Sequence, residues 1–70
     1  MKSDLSKMLK ELRKEHKLTQ TEIAKKINIS QRAYSFYENG EREPSIETLI
    51  NIAELYQIPI DILVGRYKRK

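Results

Sequence analysis

Leu18-Thr19-Gln20-Thr21-Glu22-Ile23-Ala24 is followed, after Lys25-Lys26, by Ile27-Asn28-Ile29-Ser30-Gln31-Arg32-Ala33-Tyr34, and this stretch decides the fold. Thr19 and Glu22 stand at capping-box spacing. The threonine side chain there accepts from the backbone N–H three residues on, and the glutamate reaches back to the cap's own N–H. Leu18 and Ile23 match the hydrophobic staple that accompanies such a box. The helix so started is short, because Asn28 interrupts it after Ile27. Asparagine is one of the few side chains tolerated at positive φ, so a tight turn is expected at 27–29. Ser30 then caps another helix, with Ile29 and Tyr34 as its staple pair. Two short capped helices joined by a turn of about three residues pack at a steep angle and cannot bury their own core, so other helices must cover them.

Those helices are found on either side. Upstream, Leu5, Met8, Leu9 and Leu12 recur at i, i+3, i+4 and i+7, with Ser3 and Asp4 as the start signal. Downstream, Asn39-Gly40 ends the third helix at a left-handed stop, and Glu41-Arg42-Glu43-Pro44 reads as a polar loop. Ser45 caps a fourth helix expected to turn Ile46, Leu49, Ile50, Ala53 and Leu55 or Tyr56 inward. Pro59 opens a short fifth helix that Gly65 closes. No strand-like alternation occurs. The expectation is a compact all-α domain of five helices over residues 1–65, with a basic C-terminal tail at 66–70.

Composition narrows the function. A chain of 70 residues has no room for a second core. It has no cysteine, hence no disulfide and no thiolate zinc site. With no apolar run near ~18 residues and no signal-peptide core after Met1, neither a membrane span nor a secretory route is expected, and a cytoplasmic location is. A lone histidine, His16, reads as solvated near the end of the first helix, and with no second histidine and no cysteine a metal site is not expected. No thiol, no acid–base or nucleophile pair and no Gly-rich phosphate loop is evident in the sequence, so neither an enzyme nor a cofactor is expected. The net charge of +4 lies wholly in Arg66, Lys68, Arg69 and Lys70, since the 10 basic residues of 1–65 are matched by 10 acids. The excess therefore does not by itself indicate nucleic acid, and the pattern within the body must.

On the third helix, stepping about 100° per residue, Ser30, Ala33, Tyr34 and Tyr37 share one arc. Gln31, Arg32, Ser35, Phe36 and Asn39 share the opposite one. On the first arc, Tyr34 and Tyr37 read as core. The second carries no acid, and its planar polar heads suit base edges: glutamine pairs with adenine, arginine with guanine, serine with either. Phe36 stays open between touching a thymine methyl, covering a partner surface and standing as a plain exposed aromatic.

Leu18-Thr19-Gln20-Thr21-Glu22-Ile23-Ala24, Ile29-Ser30, Tyr37-Glu38-Asn39-Gly40-Glu41-Arg42 and Pro44-Ser45 resemble, in order and spacing, the Xre/Cro family of helix-turn-helix regulators. These are the lambda-repressor-like DNA-binding domains. The resemblance spans about residues 5–65 and implies a five-helix domain with the helix-turn-helix at its second and third helices. It implies that Gln20 contacts phosphate and braces the recognition helix, and that Gln31 and Arg32 read bases, with Ser35 and Phe36 one turn on. Asn39, Gly40 and Arg42 would grip phosphate, and Arg13 with Glu38 would form a structural ion pair. Asn28 replaces the usual turn glycine, Tyr34 a core position more often aliphatic, Pro59 a cap often serine, and Phe36 a position more often polar.

The implied function is double-stranded DNA binding for transcriptional regulation, as a repressor dimer on a two-fold operator. The apolar surplus near the C-terminus, Ile60, Val64 and Tyr67 in particular, is the expected dimer seam. Two other readings stay open. One is an antitoxin-type interaction module with a toxin partner, and the other is the N-terminal DNA-binding part of a longer regulator with a sensor domain.

Overall fold

The computed structural model describes residues 4–63. The expectations placed on Ser3, Val64, Gly65, Tyr67 and the tail 66–70 lie outside these residues. Five helices follow in chain order: α1 Asp4–Glu15, α2 Gln20–Lys26, α3 Gln31–Glu38, α4 Ile46–Tyr56 and α5 Ile60–Leu63. There is no strand among the described residues.

The expected start signals form. Thr19 Oγ1 accepts from the Glu22 N–H at 3.1 Å, and the Thr19 N–H donates to Glu22 Oε1 at 2.9 Å, completing the capping box. Ser30 Oγ accepts from Ala33 N–H at 3.0 Å, and Ser45 Oγ from Thr48 N–H at 3.1 Å. Each such cap is worth about 0.5–2 kcal/mol.

The stop signals share one device. At the end of α1 the Leu18 N–H donates to Arg13 O and the Lys17 N–H to Lys14 O. The same pair recurs as Ile29 to Ala24 with Asn28 to Lys25, as Glu41 to Phe36 with Gly40 to Tyr37, and as Ile58 to Ala53 with Gln57 to Glu54. This is the Schellman pattern, which needs one residue in the left-handed region. Those residues are Lys17 (φ 58°), Asn28 (φ 63°), Gly40 (φ 77°) and Gln57 (φ 58°). Asn28 and Gly40 advertise the conformation in the sequence. Lys17 and Gln57 do not, and are held there by the paired hydrogen bonds.

α1 and α2 both pack on α3, and α5 returns against α1 and α4. Leu9, Ile23, Tyr34, Ile52 and Leu63 are fully buried at the centre, with Leu12, Ala24, Ile27, Ala53 and Tyr56 around them. This arrangement covers one side of α3 and leaves the other open.

The expected inward face of α4 requires correction. Ile46 is 68% exposed and Ile50 43% exposed, whereas Ile52, which the periodicity passed over, is fully buried. Apolar side chains occupy well over half the circumference of α4, so spacing alone does not choose the buried arc; contact with the rest of the core does. Pro44, expected in a polar loop, is buried as well. His16 is exposed but not unattached: its ring lies 4.7 Å from that of Tyr56, and its Nδ1 is 2.9 Å from Leu12 O. No described helix is long and apolar enough to cross a membrane.

Candidate nucleic-acid interface

α3 begins where the turn at Asn28 delivers it, with Ser30 holding the first turn, so its first two residues project beyond the packed body. Gln31 and Arg32 are exposed, as is Asn39 at the far end, while Ser35 and Phe36 are half-buried between them. The buried side carries Tyr34 and, less expectedly, Glu38, which is 2% exposed.

An isolated buried carboxylate is costly, so its partners decide whether it is tolerated. Glu38 has four donors. Arg13 Nε donates to Oε2 at 2.6 Å and Arg13 Nη2 to Oε1 at 3.1 Å, a two-point guanidinium–carboxylate contact. The Tyr34 hydroxyl donates to Oε2 at 2.7 Å, and Gln20 Nε2 to Oε1 at 3.0 Å. Burial alone would raise the Glu38 carboxyl. The bonds from Arg13, Gln20 and Tyr34, with the Arg13 charge, outweigh that and hold it below the ordinary carboxylate range. The Arg13 guanidinium is pushed up, chiefly by its bond to Glu38. Arg13 Nη1 also donates to Leu18 O at 3.0 Å, so one side chain joins α1, the turn into α2 and the end of α3.

Gln20 carries this network to the surface. A carboxylate only accepts, so the Gln20 amide must turn its NH2 to Glu38 and its carbonyl outward. That carbonyl accepts from Gln31 Nε2 at 2.8 Å. Gln31 is then left with one N–H and its own carbonyl oxygen on an exposed planar head. The ionisation of Glu38 thus sets the orientation of two amides in series. The family resemblance assigns bracing to Gln20; the hydroxyl of Tyr34, taken as plain core, is the partner sequence reasoning missed. Its signal was the i, i+4 spacing from Tyr34 to Glu38.

At the other end of α3 the Schellman turn through Gly40 swings the chain back over the helix. The Arg42 guanidinium carbon lies 4.9 Å from the centre of the Phe36 ring. Ile60, one of the expected seam residues, is partly buried against the core. Among the described residues no group of His, Cys, Asp or Glu is arranged to hold a metal ion.

The helix-turn-helix family profile matches residues 9–63. The HTH-type transcriptional regulator YqaE of Bacillus subtilis is 46% identical over 59 residues, covering 84% of this chain and 51% of that protein. The cryptic phage CTXphi transcriptional repressor RstR of Vibrio cholerae is 45% identical over 49 residues, 70% of this chain and 44% of its own. A crystal structure of a transcriptional regulator from Listeria innocua superposes with a TM-score of 0.86 at 36% identity, covering 100% of this chain and 64% of the other. The chain spans about half the length of these two curated relatives.

Proposed function

The chain belongs to the helix-turn-helix family of Xre/Cro-type DNA-binding transcriptional regulators, and on that premise we propose that it represses transcription by occupying a two-fold operator as a dimer. Gln31 and Arg32 read base edges in the major groove, with Ser35 one turn further in. Gln20, the backbone at Asn39-Gly40 and Arg42 contact phosphate on either side.

The observation that carries this reading is the pre-set head of Gln31. One free N–H beside one free carbonyl matches the N7 acceptor and N6 donor that adenine presents in the major groove. A solvated surface glutamine would have no fixed orientation and would lose side-chain entropy on binding. Here that cost is met in folding, because Gln20 and Glu38 already hold the amide.

A single α3 offers only a few base-reading residues, too few for operator-level affinity, so two copies would bind half-sites about 10–10.5 base pairs apart. Ile60, Val64 and Tyr67 form the proposed seam between them. Selection of bound duplexes from a random pool tests the whole reading. The expected pool is enriched in a two-fold sequence with a fixed adenine in each half-site, and it binds more tightly as a palindrome than as one half-site in a mobility-shift titration. No enrichment would end the DNA-reading proposal. Equal affinity for palindrome and half-site, at one chain per duplex, would end the dimer.

A further inference from the structure

Arg42 is flanked in sequence by Glu41 and Glu43, two carboxylates of the right charge to pair with it. Neither does. No ion pair to Arg42 forms among the described residues, and its guanidinium lies instead over the Phe36 ring at 4.9 Å. The backbone builds this contact. Phe36 O accepts from the Glu41 N–H at 2.9 Å and from the Arg42 N–H at 3.4 Å, with Gly40 at φ 77° making the reversal. Residue 42 is thereby returned to the turn of α3 that carries Phe36.

The two ways of holding an arginine have different consequences. A carboxylate would occupy two of its five N–H donors and cancel its charge. An aromatic face attracts the cation through the ring quadrupole and takes none of the in-plane donors. Arg42 is therefore placed with its full charge and its fork of donors available to a planar, bidentate acceptor such as phosphate. From this geometry we infer that Phe36 is a positioning residue. It is the platform that holds Arg42 for the DNA backbone, and it does not read a base. The inference rests on the DNA-binding reading above and revises the base contact expected of Phe36.

The test compares Phe36→Leu, Phe36→Trp and Arg42→Ala on the selected operator and on a random duplex. Leucine keeps apolar bulk without a π face, and tryptophan keeps the face. An exposed cation–π contact corresponds to about a two- to five-fold change in affinity. Phe36→Leu is expected to lose that factor equally on both duplexes, and Phe36→Trp to retain binding. Arg42→Ala should lower the salt slope by about 0.9, and adding Phe36→Leu to it should cost nothing more. A loss confined to the operator, losses that add in the double variant, or no loss in Phe36→Leu would each overturn the platform role. The free protein supplies a DNA-independent readout: the Arg42 side-chain proton signals should be ring-current shifted, and the shift should vanish in Phe36→Leu. An unshifted Arg42 overturns the stack itself. A shifted Arg42 in a chain that binds no duplex would leave the stack standing and overturn both its phosphate role and the proposed function.

Discussion

At the N-terminal end of α3, Gln31 is tied through Gln20 to a carboxylate that is 2% exposed and holds four donors. At the C-terminal end Arg42 lies on the face of Phe36, with no side-chain hydrogen bond among the described residues to order its donors. The difference matches the kind of recognition proposed for each end. Reading a base requires a donor and an acceptor in a set order, so the amide must be oriented, and a chain of directional bonds ending on an accept-only group does that. Gripping a phosphate requires charge in about the right place, and a ring face supplies it while leaving the charge intact.

The largest effect expected is on the directional end. Breaking a buried ion pair by removing one partner costs roughly 3–5 kcal/mol. Total stability for a chain of 70 residues is about 3.5–10 kcal/mol at ~0.05–0.15 kcal/mol per residue. Glu38→Ala should therefore leave much of the population unfolded in a urea titration at neutral pH, while Phe36→Leu should shift the midpoint little. A midpoint moved only slightly by Glu38→Ala would show that the two ends are not held differently. The pH dependence carries the same sign. The Glu38 carboxyl is depressed in the folded state, so its contribution is fully present above the unfolded value of about 4.3 and is lost as pH falls through the lower, folded value. Acidification over that window should destabilise the protein, and less so in Glu38→Gln.

Next in size is specificity. Gln31→Ala should weaken operator binding by about 1–3 kcal/mol and leave random duplex nearly untouched. Arg42→Ala should weaken both alike. Gln20→Ala sharpens the contrast, because Gln31 keeps its chemistry but loses its orientation: the adenine preference should flatten although Gln31 is unchanged. Retention of full preference in Gln20→Ala would show that the amide series does not set the reading.

The smallest effect concerns the second tyrosine beside this network. Tyr34 donates to Glu38, whereas the Tyr56 hydroxyl is buried with no partner among the described residues. Burial, then the Glu38 charge, pushes the Tyr56 phenol up to about 12. Tyr56→Phe should gain about 1 kcal/mol by removing an unsatisfied group. It should also abolish part of the stability lost as pH rises from about 10 towards 12, since a group raised on folding contributes fully only below its unfolded pKa. A thermal midpoint lowered by Tyr56→Phe would mean that the hydroxyl has a partner after all.

The sequence by itself determined the helix boundaries around the helix-turn-helix. Thr19 with Glu22, Ser30, Asn28 and Gly40 act through hydrogen bonds and backbone angles that span no more than about five residues, and local rules capture them. It determined the exposed face of α3 for the same reason, since an eight-residue helix with Tyr34 inward leaves Gln31 and Arg32 outward by geometry. The Arg13–Glu38 pair was carried by family resemblance, being 25 residues apart and invisible to any local rule. Only the tertiary structure decided the rest. It chose the buried arc of α4, taking Ile52 and leaving Ile46 and Ile50 outside, because burial there depends on which neighbours arrive and not on the period of the helix. It placed Lys17 and Gln57 in a left-handed conformation their side chains do not favour, because the paired bonds of each helix end outweigh a cost of about 1–2 kcal/mol. It put Arg42 on Phe36 instead of on its neighbours Glu41 and Glu43, because a Schellman turn through Gly40 folds the chain back onto α3 and returns residue 42 to the turn that carries the ring.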